Sequence, residues 1–303
     1  MSVSDSKMSA SNVARTALRW AFNFGSWRPT KAEWMLAAQC VQMEEKNRIG
    51  KFVFKRDAKS AMAGRLLLRK AISDTLQIPY GDVRLDRTEK GKPFLVNTVA
   101  THFSFNVSHQ GKLAVLATEF DKDVGIDVME ITQPRGSKSV ADFFHTMRRQ
   151  FTDDEWEAIK EPMTDSGRLA RFYRFWCLKE SYVKAVGIGI GYSLQRLSFK
   201  ISTPQLRQGN LTKDTVLFID GIKEVMWEFH ETMVDEHHCT AVAVRKTTHQ
   251  GQNEECDCDG MMTSGLFEIL SFSQLVVSAQ PCLETDLDYW EAFDQKDESP
   301  GGS

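Results

Sequence analysis

The 303-residue chain lacks any apolar run of the roughly 18 to 20 residues that a membrane-spanning helix needs. Its first residues, MSVSDSKMSASNVAR, contain no apolar segment of the kind found in secretory signals. We therefore expect a cytosolic protein that does not bind membranes.

Cysteine is also scarce. The chain has six cysteines, none of them in a Cys-x-x-Cys pair, and the closest two are Cys256 and Cys258. A tetrahedral zinc site needs four ligands, and no second pair completes this one. Reduced thiols in the cytosol are the simpler interpretation.

The common nucleotide-binding loops are missing as well. No Walker-type loop occurs, and the glycines at 187, 189 and 191 follow a predicted helix instead of a strand. A dinucleotide fingerprint requires the strand first, so this glycine run is not one.

Acidic residues are concentrated at one end of the chain. The net charge is −3, but residues 254–303 hold twelve Asp or Glu and one basic residue, Lys296, which makes −11 and leaves +8 for the rest. A basic body suits a phosphate-bearing ligand or an acidic protein partner, or it is simply a soluble surface. We expect no nucleic-acid partner.

A long helix followed by antiparallel strands is predicted twice, at 55–76 with strands to 129, and at 168–186 with strands from 196 to 245. This order predicts an α+β fold of two similar lobes, each with a long helix packed on a mainly antiparallel sheet, and a ligand cleft between them. We divide the chain into a flexible N-terminus (1–14), an N-terminal lobe (15–123), a C-terminal lobe (124–246) and an acidic, partly disordered tail (247–303). Within the tail, 266–277 reads as a short piece that docks back and 294–303 as disordered.

Glu180 breaks the apolar pattern of the second long helix. Leu169, Phe172, Trp176 and Val183 share one helical face, and Glu180 falls in its middle. A carboxylate there is costly unless it is paired. A helical salt bridge with Lys184, four residues on, is the structural explanation.

Asp127 poses the same problem in a predicted buried strand, VGIDV. Two carboxylates on neighbouring elements suggest a shared divalent cation, and oxygen ligands favour Mg²⁺. The alternative is that Asp127 stands at the strand end and caps a turn.

Two further stretches are rich in polar side chains at predicted turns. RTEKGKP (87–93) places basic residues around a glycine, and NVSHQG (106–111) places Asn, Ser, His and Gln at a strand end. Both arrangements can bind phosphate. A solvated hairpin tip and a structural histidine are the alternatives.

These four segments, in this order, resemble the 4′-phosphopantetheinyl transferases. The family pattern of Gly-x-Asp followed by Trp-x-x-Lys-Glu-Ser-x-x-Lys is matched by Gly125–Asp127 and by Trp176–Lys184, and the resemblance covers about residues 19–245. It implies a monomer of two α+β lobes related by a pseudo-twofold axis, which moves phosphopantetheine from coenzyme A to a serine of a carrier protein.

The resemblance also implies a set of site residues. Asp127 and Glu180 would hold Mg²⁺; Glu180, or a water it orients, would take the serine proton; and Lys184 would stabilise charge on the transferring phosphate. Coenzyme A would contact the following residues: Arg48, Arg87, Thr88, Glu89, Lys90, Gly91, Lys92, Asn106, Val107, Ser108, His109, Asp127, Glu180, Ser181 and Lys184.

One position departs from the family. Many bacterial members carry a second acid two residues after the aspartate, where this chain has Met129. Water or Gln110 is left as a candidate for the missing metal ligand.

The expected partners are acidic apo carrier proteins: a fatty-acid synthase carrier domain, a mitochondrial-type acyl carrier protein, or an aminoadipate or related enzyme. The alternative function is a regulator that binds coenzyme A or a carrier protein without catalysis. Such a regulator would tolerate loss of Asp127, Glu180 or Lys184, and all three are present.

Overall fold

Long helices alternate with antiparallel strands along the chain. The computed structural model describes residues 15–99, 102–134, 136, 139–189, 191–246 and 265–300. The helices are α1 (Lys31–Gln39), α2 (Met43–Gly50), α3 (Lys55–Leu76), α4 (Val140–Thr146), α5 (Asp153–Lys160), α6 (Asp165–Val186), α7 (Phe272–Val276) and α8 (Leu287–Asp294). The strands are β1 (Arg19–Asn23), β2 (Leu85–Arg87), β3 (Pro93–Leu95), β4 (Phe103–Gln110), β5 (Leu113–Phe120), β6 (Val124–Glu130), β7 (Leu197–Lys200), β8 (Val216–Ile219), β9 (Ile222–Glu224), β10 (Trp227–Met233), β11 (His238–Arg245) and β12 (Glu268–Ile269).

Residues 1–14 and 247–264, for which we predict a flexible N-terminus and the first part of the tail, lie outside the described residues. In the part that is described, none of the helices combines the length and the apolar character needed to cross a bilayer.

The N-terminal lobe packs α3 against a four-stranded sheet in the order β12–β1–β5–β4. Strands β1, β5 and β4 are antiparallel, and β12 joins the edge in parallel with β1. Leu66 and Ile72 on α3 are fully buried and share a core with Trp34 of α1 and Leu116 of β5. Burial of this apolar face provides most of the free energy that keeps α3 on the sheet.

The C-terminal lobe repeats this outline with α6 lying on β6 and β11 of the sheet β10–β11–β6. Its core is aromatic: the ring centroids of Phe144 and Phe172 are 5.5 Å apart, and those of Phe151 and Trp156 are 5.2 Å apart. Strands β7, β8 and β9 form a separate small sheet, and β2 and β3 form a hairpin. The α+β prediction with two lobes is confirmed.

Polar side chains of β4 join the two lobes. Ser104, Asn106 and Gln110 point toward β6 and accept hydrogen bonds from the backbone N–H groups of Val124, Ile126 and Glu130, respectively. The apolar residues Val115, Ile126 and Val242 belong to a buried cluster between the two sheets. Asn106 and Gln110, two of the residues in 106–111 that the sequence suggests for phosphate binding, therefore hold the two sheets together.

Residues 265–300, here called the C-terminal strap, lie along the N-terminal lobe. The docking predicted for 266–277 is confirmed, because β12 extends the sheet and Leu275 is buried in the core. The disorder predicted for 294–303 is wrong for residues 294–298, since the backbone carbonyls of Asp297 and Glu298 accept hydrogen bonds from the start of α3. The acidic composition that suggests disorder instead matches basic groups on this lobe.

Candidate active site

A glycine lets α6 approach β6 closely enough to build the site. A Cβ atom on Gly125 would lie 2.1 Å from the backbone oxygen of Ser181 and 2.3 Å from the backbone nitrogen of Ala185. These are backbone atoms of α6, so no side-chain rearrangement could relieve the overlap. The Gly-x-Asp spacing therefore sets the helix against the strand and brings Asp127 opposite Glu180 and Lys184.

Lys184, Asp127 and Ser108 form a hydrogen-bonded cluster from three elements. Lys184 Nζ lies 2.6 Å from Asp127 Oδ1 and 2.8 Å from Ser108 Oγ, and Ser108 Oγ donates to Asp127 Oδ1 at 2.8 Å. Asp127 is 5% exposed. Both donors therefore lie on the same oxygen of a buried carboxylate, and hydrogen bonds of this charge-assisted kind are short and strong.

Both structural explanations offered from sequence are wrong for these two acids. Lys184 pairs with Asp127 and does not form the helical salt bridge with Glu180. Asp127 is the fourth of the seven residues of β6, so it does not cap a strand end.

The two carboxylates fit a divalent cation. Asp127 Oδ2 is buried and has no hydrogen-bond partner among the described residues. Glu180 lines the cleft, and its pKa is raised by burial and by the charge of Asp127, against the opposing charge of Lys184. A cation between the two acids would relieve both effects, and oxygen donors of this kind suit Mg²⁺ that keeps several waters.

Gln110, the protein candidate for a third metal ligand, is already engaged, and Met129, which stands in place of the acid, points elsewhere. Gln110 Oε1 accepts the backbone N–H of Glu130, and Met129 packs against the core of the C-terminal lobe. Within the described ranges, no group of three His, Cys, Asp or Glu residues is placed to hold a metal. The site therefore offers two carboxylates, with the remaining positions open to water or substrate.

A cavity of about 510 Å³ opens in front of Glu180 and Lys184. Its apolar walls include Val107, Trp176, Val183 and Leu194. This shape suits an extended, partly apolar ligand beside a polar reactive end.

The 87–93 hairpin closes one side of this cavity by reaching across to the other lobe. Lys90 Nζ donates to the carbonyl of Ile188 at 2.9 Å, and Lys92 Nζ donates to that of Ala185 at 3.2 Å. Gly91 has a φ of +81°, a backbone conformation that glycine adopts without strain, and this allows the tight turn. Burial lowers the pKa of Lys92, with Asp123 opposing it. Both lysines therefore compensate the negative end of α6 and stand at the cavity wall.

A second compartment, about 310 Å³, is lined by basic side chains. Those that line it are Arg48, Arg65, Arg87, His109 and Lys184. His109 is accessible to solvent, and its pKa is lowered by partial burial and by the charges of Lys184 and Arg65. The compartment is thus built for an anion.

Glu45 organises the arginines of that compartment. Its carboxylate accepts from Arg48 Nε at 2.9 Å and Arg87 Nη2 at 3.0 Å, and it lies 3.5 Å from Arg65 Nη1. Burial lowers the pKa of Arg65 to about 10, with Glu45 opposing the shift, so the guanidinium stays charged at neutral pH. Three arginines around one carboxylate leave positive charge for a ligand.

Glu45 and Arg65 are absent from the sequence prediction. Arg65 lies in the middle of α3, a pattern that predicts an ordinary helix surface, and 6% of its surface is exposed. An arginine that neighbours buried apolar residues in a long helix is the only signal the sequence gives.

Some predicted contacts are not in the cleft. Ser181 is fully buried and its hydroxyl donates to the carbonyl of Leu178. Glu89 is exposed at the hairpin tip, and Thr88 closes the hairpin through its backbone and its hydroxyl. Asn106 lines the cavity, but its side-chain oxygen accepts a hydrogen bond from the backbone of β6.

Lys179, also part of the motif, is structural. It is fully buried, pairs with Glu155 at 2.7 Å, and donates to the carbonyls of Leu194 and Leu197. Burial raises the pKa of Glu155 and lowers that of Lys179, and the ion pair opposes both shifts. Lys179 therefore fixes the segment after α6 to the start of α5, which carries Glu155.

Comparisons with known proteins agree with the motifs. Residues 25–121 match the family described as 4′-phosphopantetheinyl transferase, N-terminal, and residues 123–243 match the 4′-phosphopantetheinyl transferase superfamily. The chain is 48% identical to the L-aminoadipate-semialdehyde dehydrogenase-phosphopantetheinyl transferase of Xenopus laevis, with 94% of each chain covered, and 47% identical to that of Homo sapiens, with 93% of each covered. It is 38% identical to a phosphopantetheinyl transferase of Thraustochytrium sp., over 77% of this chain and 80% of that one.

Proposed function

Because the chain belongs to the 4′-phosphopantetheinyl transferase superfamily, whose members use coenzyme A as substrate, we propose that the cleft binds coenzyme A with its pyrophosphate beside Asp127 and Glu180. The chain is a transferase that moves phosphopantetheine to carrier proteins. The observation that carries the proposed site is that Glu180 and Lys184 line one cavity and that Lys184 contacts the buried Asp127.

The two compartments suit the two phosphate-bearing parts of coenzyme A. The pyrophosphate is the reacting group, so it belongs next to Glu180 and Lys184. The 3′-phosphate then binds in the compartment lined by Arg48, Arg65 and Arg87, where the guanidinium groups attract it electrostatically. The pantetheine arm follows the apolar wall of the larger cavity.

Asp127 and Glu180 are the residues that would hold Mg²⁺. The unpartnered Asp127 Oδ2 and the raised pKa of Glu180 support this assignment. When bound, the ion supplies charge neutralisation for the pyrophosphate.

Glu180 is also the proposed base. The carrier serine oxygen attacks the phosphorus that bears pantetheine, the bond to the other phosphate breaks, and adenosine 3′,5′-bisphosphate leaves with the electron pair of that bond. The serine proton passes to Glu180 or to a water that Glu180 orients. Lys184 lies where it can stabilise charge on the transferring phosphate.

A basic hollow beside the cavity suits an acidic carrier protein. Gln150 and Leu194 line the cavity, and their neighbours Arg149 and Gln195 line a hollow of about 860 Å³ that also contains Arg148 and Arg168. An acidic carrier docked here would bring its serine to the cavity mouth. Candidate carriers are a fatty-acid synthase domain, a mitochondrial-type acyl carrier protein and an aminoadipate enzyme; the names of the relatives from Xenopus laevis and Homo sapiens support the last.

We also propose a cytosolic monomer. All four cysteines in the described residues, Cys40, Cys177, Cys239 and Cys282, are free, which suits a reducing compartment. Both lobes of one chain supply the cavity walls, so a single copy provides the residues of the proposed site.

Incubation with coenzyme A, Mg²⁺ and an apo acyl carrier protein, followed by intact mass measurement, tests the function. The carrier should gain one phosphopantetheine. A carrier of unchanged mass, with coenzyme A bound regardless of Mg²⁺, would instead support a non-catalytic regulator.

A further inference from the structure

The C-terminal strap is anchored on the N-terminal lobe by aromatic stacking. The rings of Phe293 and Trp34 stack with centroids 3.7 Å apart, and those of Phe272 and Trp27 with centroids 5.0 Å apart. Phe293 and Trp34 are both buried. The strap is therefore part of the folded lobe.

The strap supplies the cap that α3 lacks. Phe54, the residue before α3, makes no side-chain hydrogen bond to the helix start. The backbone N–H groups of Lys55 and Arg56 donate instead to the carbonyls of Asp297 at 2.8 Å and Glu298 at 3.1 Å. Glu298 Oε1 also accepts from the buried Lys59 Nζ at 2.6 Å. Free N–H groups at a helix start need such partners, and acidic groups there are favourable.

The strap holds α2 as well. Tyr289 Oη donates to the carbonyl of Lys46 at 3.1 Å, and Lys296 Nζ donates to that of Gly50 at 3.3 Å. Asp286 Oδ2 lies 2.7 Å from Lys46 Nζ. These contacts hold the last two turns of α2 against the strap. In this helix Lys46 is adjacent to Glu45 and two positions before Arg48.

The two helices gripped by the strap are those that carry the arginine compartment. Helix α2 bears Glu45 and Arg48, and α3 bears Arg65. We propose that the strap is a positioning element for the substrate's 3′-phosphate, which fixes α2 against α3 so that these guanidinium groups converge. This inference rests on the proposed function, and it assigns the acidic tail a role in substrate affinity and none in the chemical step.

The double variant Tyr289→Phe/Glu298→Gln in the full chain tests this role while leaving the stacked rings in place. We expect its KM and Kd for coenzyme A to rise about fivefold, the effect of losing ordinary hydrogen bonds that orient a charged site, with kcat changed less than about twofold. For 3′-dephospho-coenzyme A, which lacks the phosphate concerned, Kd should match that of the wild type. Glu291→Gln, an exposed acid of α8, is the control and should behave as the wild type.

Calorimetry with both ligands and steady-state kinetics with coenzyme A separate the outcomes. Equal weakening of both ligands, or a loss confined to kcat, would show a general structural effect and overturn the proposal, as would unchanged affinity. If the double variant does not fold, the single variant Asp286→Asn, which removes the Lys46 pair, is measured in the same way. Failure of the wild type to bind coenzyme A at all would overturn the proposed function itself.

Discussion

Lys184 lies 2.6 Å from Asp127 although the two residues are 57 positions apart in the chain. The contact joins the end of α6 to the middle of β6, and Ser108 of the other lobe completes it. One carboxylate oxygen of Asp127 is thus committed to protein donors, and the other is buried with no hydrogen-bond partner in the part of the chain that the structure describes. The pair explains how a charged cluster persists in an otherwise apolar seam and where a cation would bind.

Replacing either of the two carboxylates proposed to hold the metal should slow transfer strongly while the fold survives. For Asp127→Asn and Glu180→Gln we expect kcat to fall by about 10²-fold to 10³-fold, because each removes charge where the pyrophosphate reacts. Single-turnover transfer to an apo carrier, with circular dichroism to check folding, measures this. Glu284→Gln, an exposed acid on the strap, is the matched control, and near-normal turnover by either site variant would remove the assignment.

The raised pKa of Glu180 predicts a displaced titration. In the metal-free protein we expect this carboxyl to titrate above its ordinary value of 4.5, because burial and Asp127 favour its protonated form. Asp127→Asn should lower its pKa and Lys184→Met should raise it. Carbon NMR of labelled glutamate side chains measures all three.

The same pKa shift determines how the contribution of Glu180 to stability changes with pH. A raised folded-state pKa means that the folded protein binds this proton more tightly, so the contribution of Glu180 to stability is present at low pH and is lost as pH rises through the folded-state pKa. Glu180→Gln should therefore increase stability at neutral pH more than at pH 4. If Glu180 titrated at its ordinary pKa in the wild type and in every variant, the proposed electrostatics would be contradicted.

Gly125→Ala should displace α6. The added methyl group would overlap backbone atoms of Ser181 and Ala185, so we expect a loss of about 3 kcal/mol in the free energy of unfolding. Transfer should fall with it, because Glu180 and Lys184 move with the helix. Urea unfolding checks the first effect. Gly81→Ala is the control, since a Cβ there has no atom within 4 Å, and equal behaviour of the two variants would contradict the packing argument.

Lys179→Met should destabilise the protein without changing the chemistry. Removing the lysine leaves Glu155 buried and unpaired, a loss of about 3 to 5 kcal/mol. The double variant Lys179→Met/Glu155→Leu should be more stable than Lys179→Met alone, because no buried charge remains. A direct catalytic role for Lys179 would instead lower kcat of the folded fraction at low temperature, where both variants should stay folded.

The basic hollow predicts a carrier-specific effect. Arg148→Ala/Arg149→Ala should raise KM for an acidic carrier several-fold and weaken its dependence on salt, with KM for coenzyme A unchanged. Kinetics at two salt concentrations measure this. A carrier KM equal to that of the wild type would place docking on another surface.

The sequence predicts elements well where local chemistry sets them. The two long helices and the strand 238–245 follow from periodicity. Helix α6 begins at Asp165, three residues before the predicted start at 168, because Thr164 caps it. The acids Asp127 and Glu180 are conspicuous because each interrupts an apolar pattern. These features can be predicted because they depend only on residues that are close together along the chain.

Long-range partners are not predictable in the same way. Nothing near Asn106 or Gln110 shows that their oxygens serve the backbone of β6, and nothing near Ser181 shows that its face packs on Gly125. The part of the strap after residue 277 is missed because acidic, polar composition suggests disorder unless its basic partners on another element are known. The contribution of Arg65 likewise depends on Glu45, which lies on a different helix.

The most direct test of the central claim is the mass of an apo acyl carrier protein after incubation with coenzyme A, Mg²⁺ and either the wild type or Glu180→Gln. The site described here predicts that the wild type adds one phosphopantetheine to the carrier and that Glu180→Gln, folded and at equal concentration, adds almost none in the same time. Equal mass gain with both proteins would contradict it.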